Sequence, residues 1–183
     1  MGKAKRHQAL SWEDRFLGFR INLEGMYNLN HEGIEETRSK TKNAFGHMID
    51  RGIDESVYSL IAESPDKKQN IVVIFRQISL SEADEIMERG TSAFMEDTID
   101  DMRMLYLASG FEDAELSVCT QRVDDKDYSC IKTFYNDHGQ PVYSRQIWIV
   151  REGWLSIIAV NSAGTDATEE LFQLVGHLKE EDE

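Results

Sequence analysis

Residues 141–162 read PVYSRQIWIVREGWLSIIAVNS, and they predict two long strands joined by a tight turn at Glu152-Gly153. Both strands carry apolar side chains at odd and at even positions, for example Ile147 beside Trp148 and Ile157 beside Ile158. A strand that is apolar on two faces is covered on both sides. This hairpin therefore decides the fold, because it calls for a layered protein with a sheet in the middle.

The same reasoning extends outward along the chain. Segments 114–123 and 127–136 predict a second hairpin, and 57–63, 71–78 and the short 19–23 predict further strands. Apolar residues at helical spacing predict a helix after Asn30 that ends at Gly52, a long helix over about 81–108 opened by Ser81, and a last helix capped by Asp166. The final helix is built on Leu171, Leu174, Val175 and Leu178.

Short hairpin turns exclude an all-parallel sheet, since parallel strands need long crossovers. We therefore predict an α/β (α+β) sandwich. Its sheet is twisted and mainly antiparallel, with about six or seven strands and helices on both faces. Residues 1–14 are expected to form a flexible tail, 15–180 a single domain, and 181–183 an acidic end.

The charge of the chain restricts its partners. A net charge of −14 argues against nucleic acid, whose phosphates require a basic surface. No run of 18 or more apolar residues is present, so no membrane span is expected. The first residues lack the apolar core of a signal peptide, so the chain is either cytoplasmic or the mature part of an exported protein.

The two cysteines give the sharpest local prediction. If Asp124-Asp125 is a two-residue turn, residues whose numbers sum to 249 face each other, which pairs Cys119 with Cys130. Directly opposed cysteines can form a disulfide across two strands in an oxidising compartment. Two reduced thiols are the alternative, and a shift of the register by one residue would separate them.

Sequence motifs for chemistry are missing. No nucleophile elbow, phosphate-binding loop or clustered histidine and cysteine ligands occur, so we predict no catalytic residue, no metal site and no cofactor. Acidic clusters at 96–101 and 124–127 read as charged surface. Four aromatic residues near the hairpins could pack in the core or line a surface for a ligand or partner: Tyr135, Tyr143, Trp148 and Trp154.

Several segments carry a family resemblance: Phe16 to Leu23, Ile71 to Ile74, Ser79 to Ala83, Lys126 to Tyr128, Gly139 to Tyr143, and Gly153 to Ile158. Across residues 15–180 the chain resembles a group of uncharacterised bacterial proteins, many of them lipoproteins or secreted proteins of Gram-positive bacteria. The order of elements also resembles the PsbP-like α/β/α sandwich. The chain departs from its relatives at Asp125, where they have Gly in the turn, and at Glu24-Gly25, where they have Pro.

The resemblance supplies no catalytic residues, and it implies a binding or assembly module outside the cytoplasm. The leading hypothesis is thus a non-enzymatic, extracytoplasmic module for a protein partner or small ligand, acting as a monomer or homodimer. One alternative is an enzyme whose histidine and carboxylates meet only in three dimensions. The other is an intracellular adaptor.

Overall fold

The computed structural model describes residues 5–45 and 56–179, which form a large sheet with a layer on each face. In those ranges the strands are β1 (Arg6–Gln8), β2 (Ser11–Asp14), β3 (Phe19–Asn22), β4 (Tyr27–Leu29), β5 (Ser56–Glu63), β6 (Gln69–Gln77), β7 (Glu112–Val123), β8 (Lys126–Asp137), β9 (Gln140–Arg151), β10 (Trp154–Ala163) and β11 (Val175–His177). The helices are α1 (His31–Phe45), α2 (Leu80–Arg89), α3 (Thr91–Ala108) and α4 (Thr168–Phe172).

The large sheet has eight strands in the order β1-β4-β5-β6-β10-β9-β8-β7, with antiparallel pairing between neighbours. The α/β class and the antiparallel sheet are confirmed. The β9-β10 hairpin lies inside the sheet, which explains why both strands are apolar on two faces. The predicted count of six or seven strands is low, because β1 and β4 have only three residues each, too few to show a strand pattern.

The register predicted for the β7-β8 hairpin is confirmed. Val118 opposes Ile131, and Cys119 opposes Cys130. Asp124, the first residue of the two-residue turn, has a φ of 51°, a left-handed conformation that Asp tolerates better than most residues. The odd-numbered residues of β7, including Cys119, therefore lie on the opposite face from Val118.

Each face of the large sheet has its own core. Ile131 and Leu155 pack under α2 and α3 together with Met95, which is fully buried. On the other face, Val73 and Ile158 pack against a small three-stranded sheet (β11-β3-β2) and α4. These elements contribute side chains such as Phe19, Ile21 and Phe172. Helices were predicted over both faces, but this second layer is mainly a sheet, with the five-residue α4 beside it.

The small sheet corrects the prediction of a final helix through Leu178. Its order is β11-β3-β2, and Val175 of β11 opposes Ile21 of β3. The helix stops at Phe172, and the chain then extends along the open edge of β3. Pairing main-chain groups with that edge, together with burial of Val175, outweighs the helical spacing of the leucines.

Residues 5–14, the described part of the tail predicted over 1–14, correct that prediction. Residues 6–8 pair with β4, residues 11–14 pair with β3, and the main-chain N–H of Asn30 donates to Lys5 O at 2.8 Å. The sequence of β1 is polar and shows no apolar alternation. Main-chain hydrogen bonds hold this strand, so the spacing of its side chains did not predict it.

The long helix predicted over 81–108 is two helices. Gly90 separates α2 from α3 with a φ of 84°, which glycine adopts without the strain that a Cβ would bring. Ser79 and Glu82 form the capping box of α2, so the cap lies two residues before Ser81, the cap predicted from the sequence.

Helix α1 begins after Asn30, as predicted, and the Asn30 side chain accepts the N–H of Gly33 at 3.1 Å. The predicted helix end at Gly52 and the acidic end at 181–183 lie outside the described residues.

Candidate functional site

Two of the four aromatic residues singled out above are packed under the helices. Trp148 is 8% exposed and meets the ring of Phe94 at 6.0 Å between centroids. Tyr135 packs between Tyr106 and Phe111, with centroid distances of 4.9 and 4.8 Å. Burial, followed by the charge of Asp137, raises the pKa of Tyr135 to about 12. Both rings therefore act in core packing rather than as walls of an exposed groove.

Tyr143 lies on the other face of the large sheet. Its ring is half-buried and stacks at 5.3 Å against Phe134, its direct partner on β8. This is a cross-strand aromatic pair, and it stands apart from Trp154.

Trp154 contributes to an open apolar cup of about 320 Å³, formed with Phe16, Val57 and Phe75. The strand register brings three of the four together: Val57 opposes Phe75 on one side, and Ser156, two residues after Trp154, opposes Phe75 on the other. Phe16, from the loop between β2 and β3, closes the cup and lies 6.3 Å from the Phe75 ring. Sequence reasoning found only Trp154, because the other three lie far away along the chain.

Arg151 holds the wall of the apolar cup in place. Its guanidinium stacks over the Phe16 ring at 5.3 Å from the centroid and donates a hydrogen bond to the Phe16 carbonyl. Val57 is 56% exposed and forms the outer edge. Leu80, which is 85% exposed, starts α2 at the same end of the sandwich, where the N–H of Ile78 donates to Gly153 O at 3.0 Å.

The two cysteines lie side by side on the face that the small sheet covers. Both are free thiols in the structure, with Cys130 buried and Cys119 half-buried. Burial, with a smaller contribution from Cys119, raises the pKa of Cys130 to about 12. The disulfide between them stays a prediction for an oxidising compartment.

A second concavity, of about 550 Å³, lies beside β11 and is lined by His177, Asp124 and Asp125 among others. The sequence did not predict this cleft, because the residues of β11 were predicted to form part of a helix. His177 Nε2 lies 2.7 Å from the Tyr128 hydroxyl, and Nδ1 lies 3.1 Å from Asp124 Oδ2. The Tyr128 hydroxyl and Nε2 share a hydrogen bond, and Nδ1 lies within ion-pair distance of Asp124.

This cleft is the arrangement that the enzyme alternative requires, a histidine with two carboxylates. Both ring nitrogens of His177 have neighbours within the protein, Tyr128 at Nε2 and Asp124 at Nδ1. Burial, followed by the charges of Asp124 and Asp125, raises the pKa of Tyr128, which keeps its hydroxyl protonated. The three side chains fasten β11 to the β7-β8 turn.

The acidic cluster at 96–101 forms ion pairs with neighbouring arginines. Asp97 lies 2.6 Å from Arg89, and Asp100 pairs with Arg103. In the described part of the chain, no three histidine, cysteine or carboxylate side chains come together as a metal site. None of the described helices is both long and apolar enough to cross a membrane.

Neither a protein-family profile nor a curated protein sequence matches this chain. The fold is similar to the solution structure of cyanobacterial PsbP (CyanoP) from Synechocystis sp. PCC 6803, at 14% identity and a TM-score of 0.49, over 96% of this chain and 94% of that one. It is also similar to LpqN of Mycobacterium tuberculosis, a protein described as involved in cell envelope biogenesis, at 10% identity and a TM-score of 0.37, over 67% of this chain and 78% of that one. At identities this low the likeness concerns the fold alone.

Proposed function

We propose that this protein is a non-enzymatic binding module that recognises a partner protein by taking one apolar side chain into the cup formed by Phe16, Val57, Phe75 and Trp154. The observation that carries the proposal is the cup itself, where four apolar side chains surround an open space of about 320 Å³. Large side chains that enter such pockets are the usual anchors of protein interfaces.

The shape of the cup favours a partner protein over a free small molecule. Binding sites for small molecules cover most of the ligand surface, roughly 70–90% of it. A shallow, open cup cannot enclose a free ligand in that way. A side chain on a partner protein is surrounded by the partner's own surface. That surface would cover the open side of the cup and shield the bound side chain from water.

The surface around the cup supports the same reading. Val57 adds exposed apolar area at its outer edge, and Arg151, half exposed, offers donors at the rim. An apolar centre with a polar edge is typical of a protein interface.

Capped amino acids test the cup directly. N-acetyl-phenylalaninamide should shift the Trp154 indole N–H and the Val57 methyl signals in NMR spectra and reach saturation, whereas N-acetyl-serinamide should not. Val57→Glu should abolish these shifts, because it places a charge in the apolar edge. Met104→Glu is the matched control, since Met104 is 65% exposed on α3 and away from the cup.

A crosslinking experiment connects the cup to a protein. A photo-reactive residue at position 57 should crosslink to the partner protein. The crosslink should persist when Met104→Glu is added to this variant, and it should be lost when Trp154→Ala is added instead. An indole signal that never responds to the aromatic probe would contradict the proposal, as would a cup already filled by another segment of the same chain.

For the compartment, we propose an extracytoplasmic setting, with an intracellular adaptor as the alternative. The state of Cys119 and Cys130 in protein taken directly from its native source separates the two. A disulfide would support export, because thiols stay reduced in the cytosol. Two thiols in freshly isolated protein would favour the adaptor.

A further inference from the structure

Next to the β7-β8 hairpin and α4 lies a separate cleft of about 470 Å³, lined by Gln121, Arg122, Arg145 and Glu169 among others. Arg145 projects from β9 on the face that the small sheet covers. Its side chain is only 10% exposed, although it carries a full positive charge. A buried charge requires compensation, so its partners are informative.

The guanidinium has three partners in the described residues. Nε donates to the Thr168 hydroxyl at 3.1 Å, Nη1 donates to Gln121 Oε1 at 3.2 Å, and Nη2 donates to Glu169 Oε1 at 2.6 Å. Arginine has five N–H donors. Within the described part of the chain, one N–H on Nη1 and one on Nη2 are therefore left for a further acceptor.

Thr168 and Gln121 fix the orientation of the guanidinium. The Thr168 hydroxyl is itself oriented, because it donates to Asp166 at 2.6 Å, and Asp166 lies 3.7 Å from Lys132. Burial opposes ionisation of Asp166, but the hydrogen bonds from Thr168 and the charges of Lys132 and Arg145 lower its pKa overall. The donors of Arg145 are thus held in one direction by a network that does not include Glu169.

Among the described residues, Glu169 is the one charged acceptor bonded to Arg145, and it is 71% exposed. Because Glu169 lies mostly in solvent, water and salt compete for its carboxylate. An incoming carboxylate can take its place on Arg145 without leaving the buried guanidinium uncompensated. A ligand carboxylate in the place of Glu169 would accept the Nη2 hydrogen bond. The two remaining N–H donors of the Arg145 guanidinium would also be available to it.

The charges around the cleft favour a singly charged anion. Asp124 also lines it, and Arg122, the other cation, lies 3.2 Å from Asp127. The chain as a whole has a net charge of −14. A dianionic phosphate would be repelled by these carboxylates, whereas a planar carboxylate matches a single guanidinium.

We propose that this cleft binds a small molecule through a carboxylate group at Arg145, and that Glu169 is an internal competitor which the ligand displaces. The site is separate from the apolar cup, so the failure of one proposal leaves the other intact.

Propionate is the probe for the test, titrated at constant ionic strength and followed through the Arg145 Nε–H and Gln121 side-chain amide signals in NMR spectra. Both should shift and saturate in the native chain. Glu169→Gln should lower the Kd for propionate about threefold or more, because the competitor loses its charge. Glu170→Gln is the matched control, since it removes the same charge from the next residue, which does not line the cleft.

Arg145→Lys keeps the charge but loses the planar set of donors, and it should remove saturation at Gln121. Equal Kd values in Glu169→Gln and Glu170→Gln would overturn the proposal, and so would the absence of saturation in every form of the protein. Tighter binding of inorganic phosphate than of propionate would overturn the choice of a carboxylate. The two glutamate variants keep the test decisive even if Arg145→Lys does not fold.

Discussion

At the scale of single residues, Cys130 shows how position in the sheet controls reactivity. It lies inside the sandwich with no exposed surface and directly opposite Cys119. Burial penalises the thiolate, so the pKa of Cys130 rises to about 12. Because the thiolate is the reactive form, the cysteine should be inert while the protein stays folded.

We expect iodoacetamide to modify Cys130 in the folded, reduced protein on the order of a thousandfold more slowly than in the chain unfolded by guanidinium. The measurement is alkylation over time, with the modified residue located by mass spectrometry. Cys119→Ser provides a control in which only the buried thiol remains. Similar rates in folded and unfolded protein would show that Cys130 is not shielded as described.

At the scale of elements, Asp124 makes two of the contacts that attach β11 to the β7-β8 turn, beside the hydrogen bond between Tyr128 and His177. Asp124 Oδ2 accepts the main-chain N–H of His177 at 2.6 Å and lies 3.1 Å from the His177 ring. Asp124 also adopts the left-handed conformation that the turn needs. The strand β11 has only three residues, and the Asp124 contacts add to its pairing with β3.

Asp124→Ala should lower the free energy of unfolding by about 2 kcal/mol, because it removes both contacts and places Ala at a positive φ. Asp125→Ala is the matched control in the same turn and should cost less than about 0.5 kcal/mol. Urea unfolding measures both values. Hydrogen exchange at Val175 and Gly176 should rise in the first variant only, and equal stabilities of the two variants would contradict the role given to Asp124.

At the scale of the whole molecule, the surface charge is strongly unbalanced. The chain has 34 acidic and 20 basic residues, and local ion pairs such as Arg89 with Asp97 leave an excess of negative charge. Excess charge of one sign destabilises the compact state through self-repulsion. Salt screens this repulsion over distances of about 8–10 Å.

The urea midpoint should therefore rise when NaCl is increased from low concentration to about 0.3 M, with little change in the slope of the transition. The control is the same pair of measurements at a pH near the isoelectric point of about 4.8, where the salt effect should fade. A midpoint that falls with salt at neutral pH would mean that the ion pairs outweigh the net repulsion.

Local patterns were sufficient for one half of the large sheet, from β10 to the edge strand β7. Residues 112–163 combine apolar alternation with short turns, and β7 to β10 have nearly the predicted bounds. The register of Cys119 with Cys130 follows from the turn alone. Of the apolar cup, only Trp154 was predicted, since Phe16, Val57 and Phe75 carry no signal that they meet.

The sequence by itself determined the α/β class, the β7-β8 and β9-β10 hairpins and the register that places Cys119 opposite Cys130, because side-chain spacing and turn residues act between neighbours in the chain. Only the tertiary structure decided the small sheet, the strand β11, the cleft at Arg145 and the cup around Trp154. These features depend on main-chain hydrogen bonds and side-chain contacts between distant segments. An open strand edge or a buried charge can find its partner far away along the chain, so the local spacing of side chains does not predict these interactions.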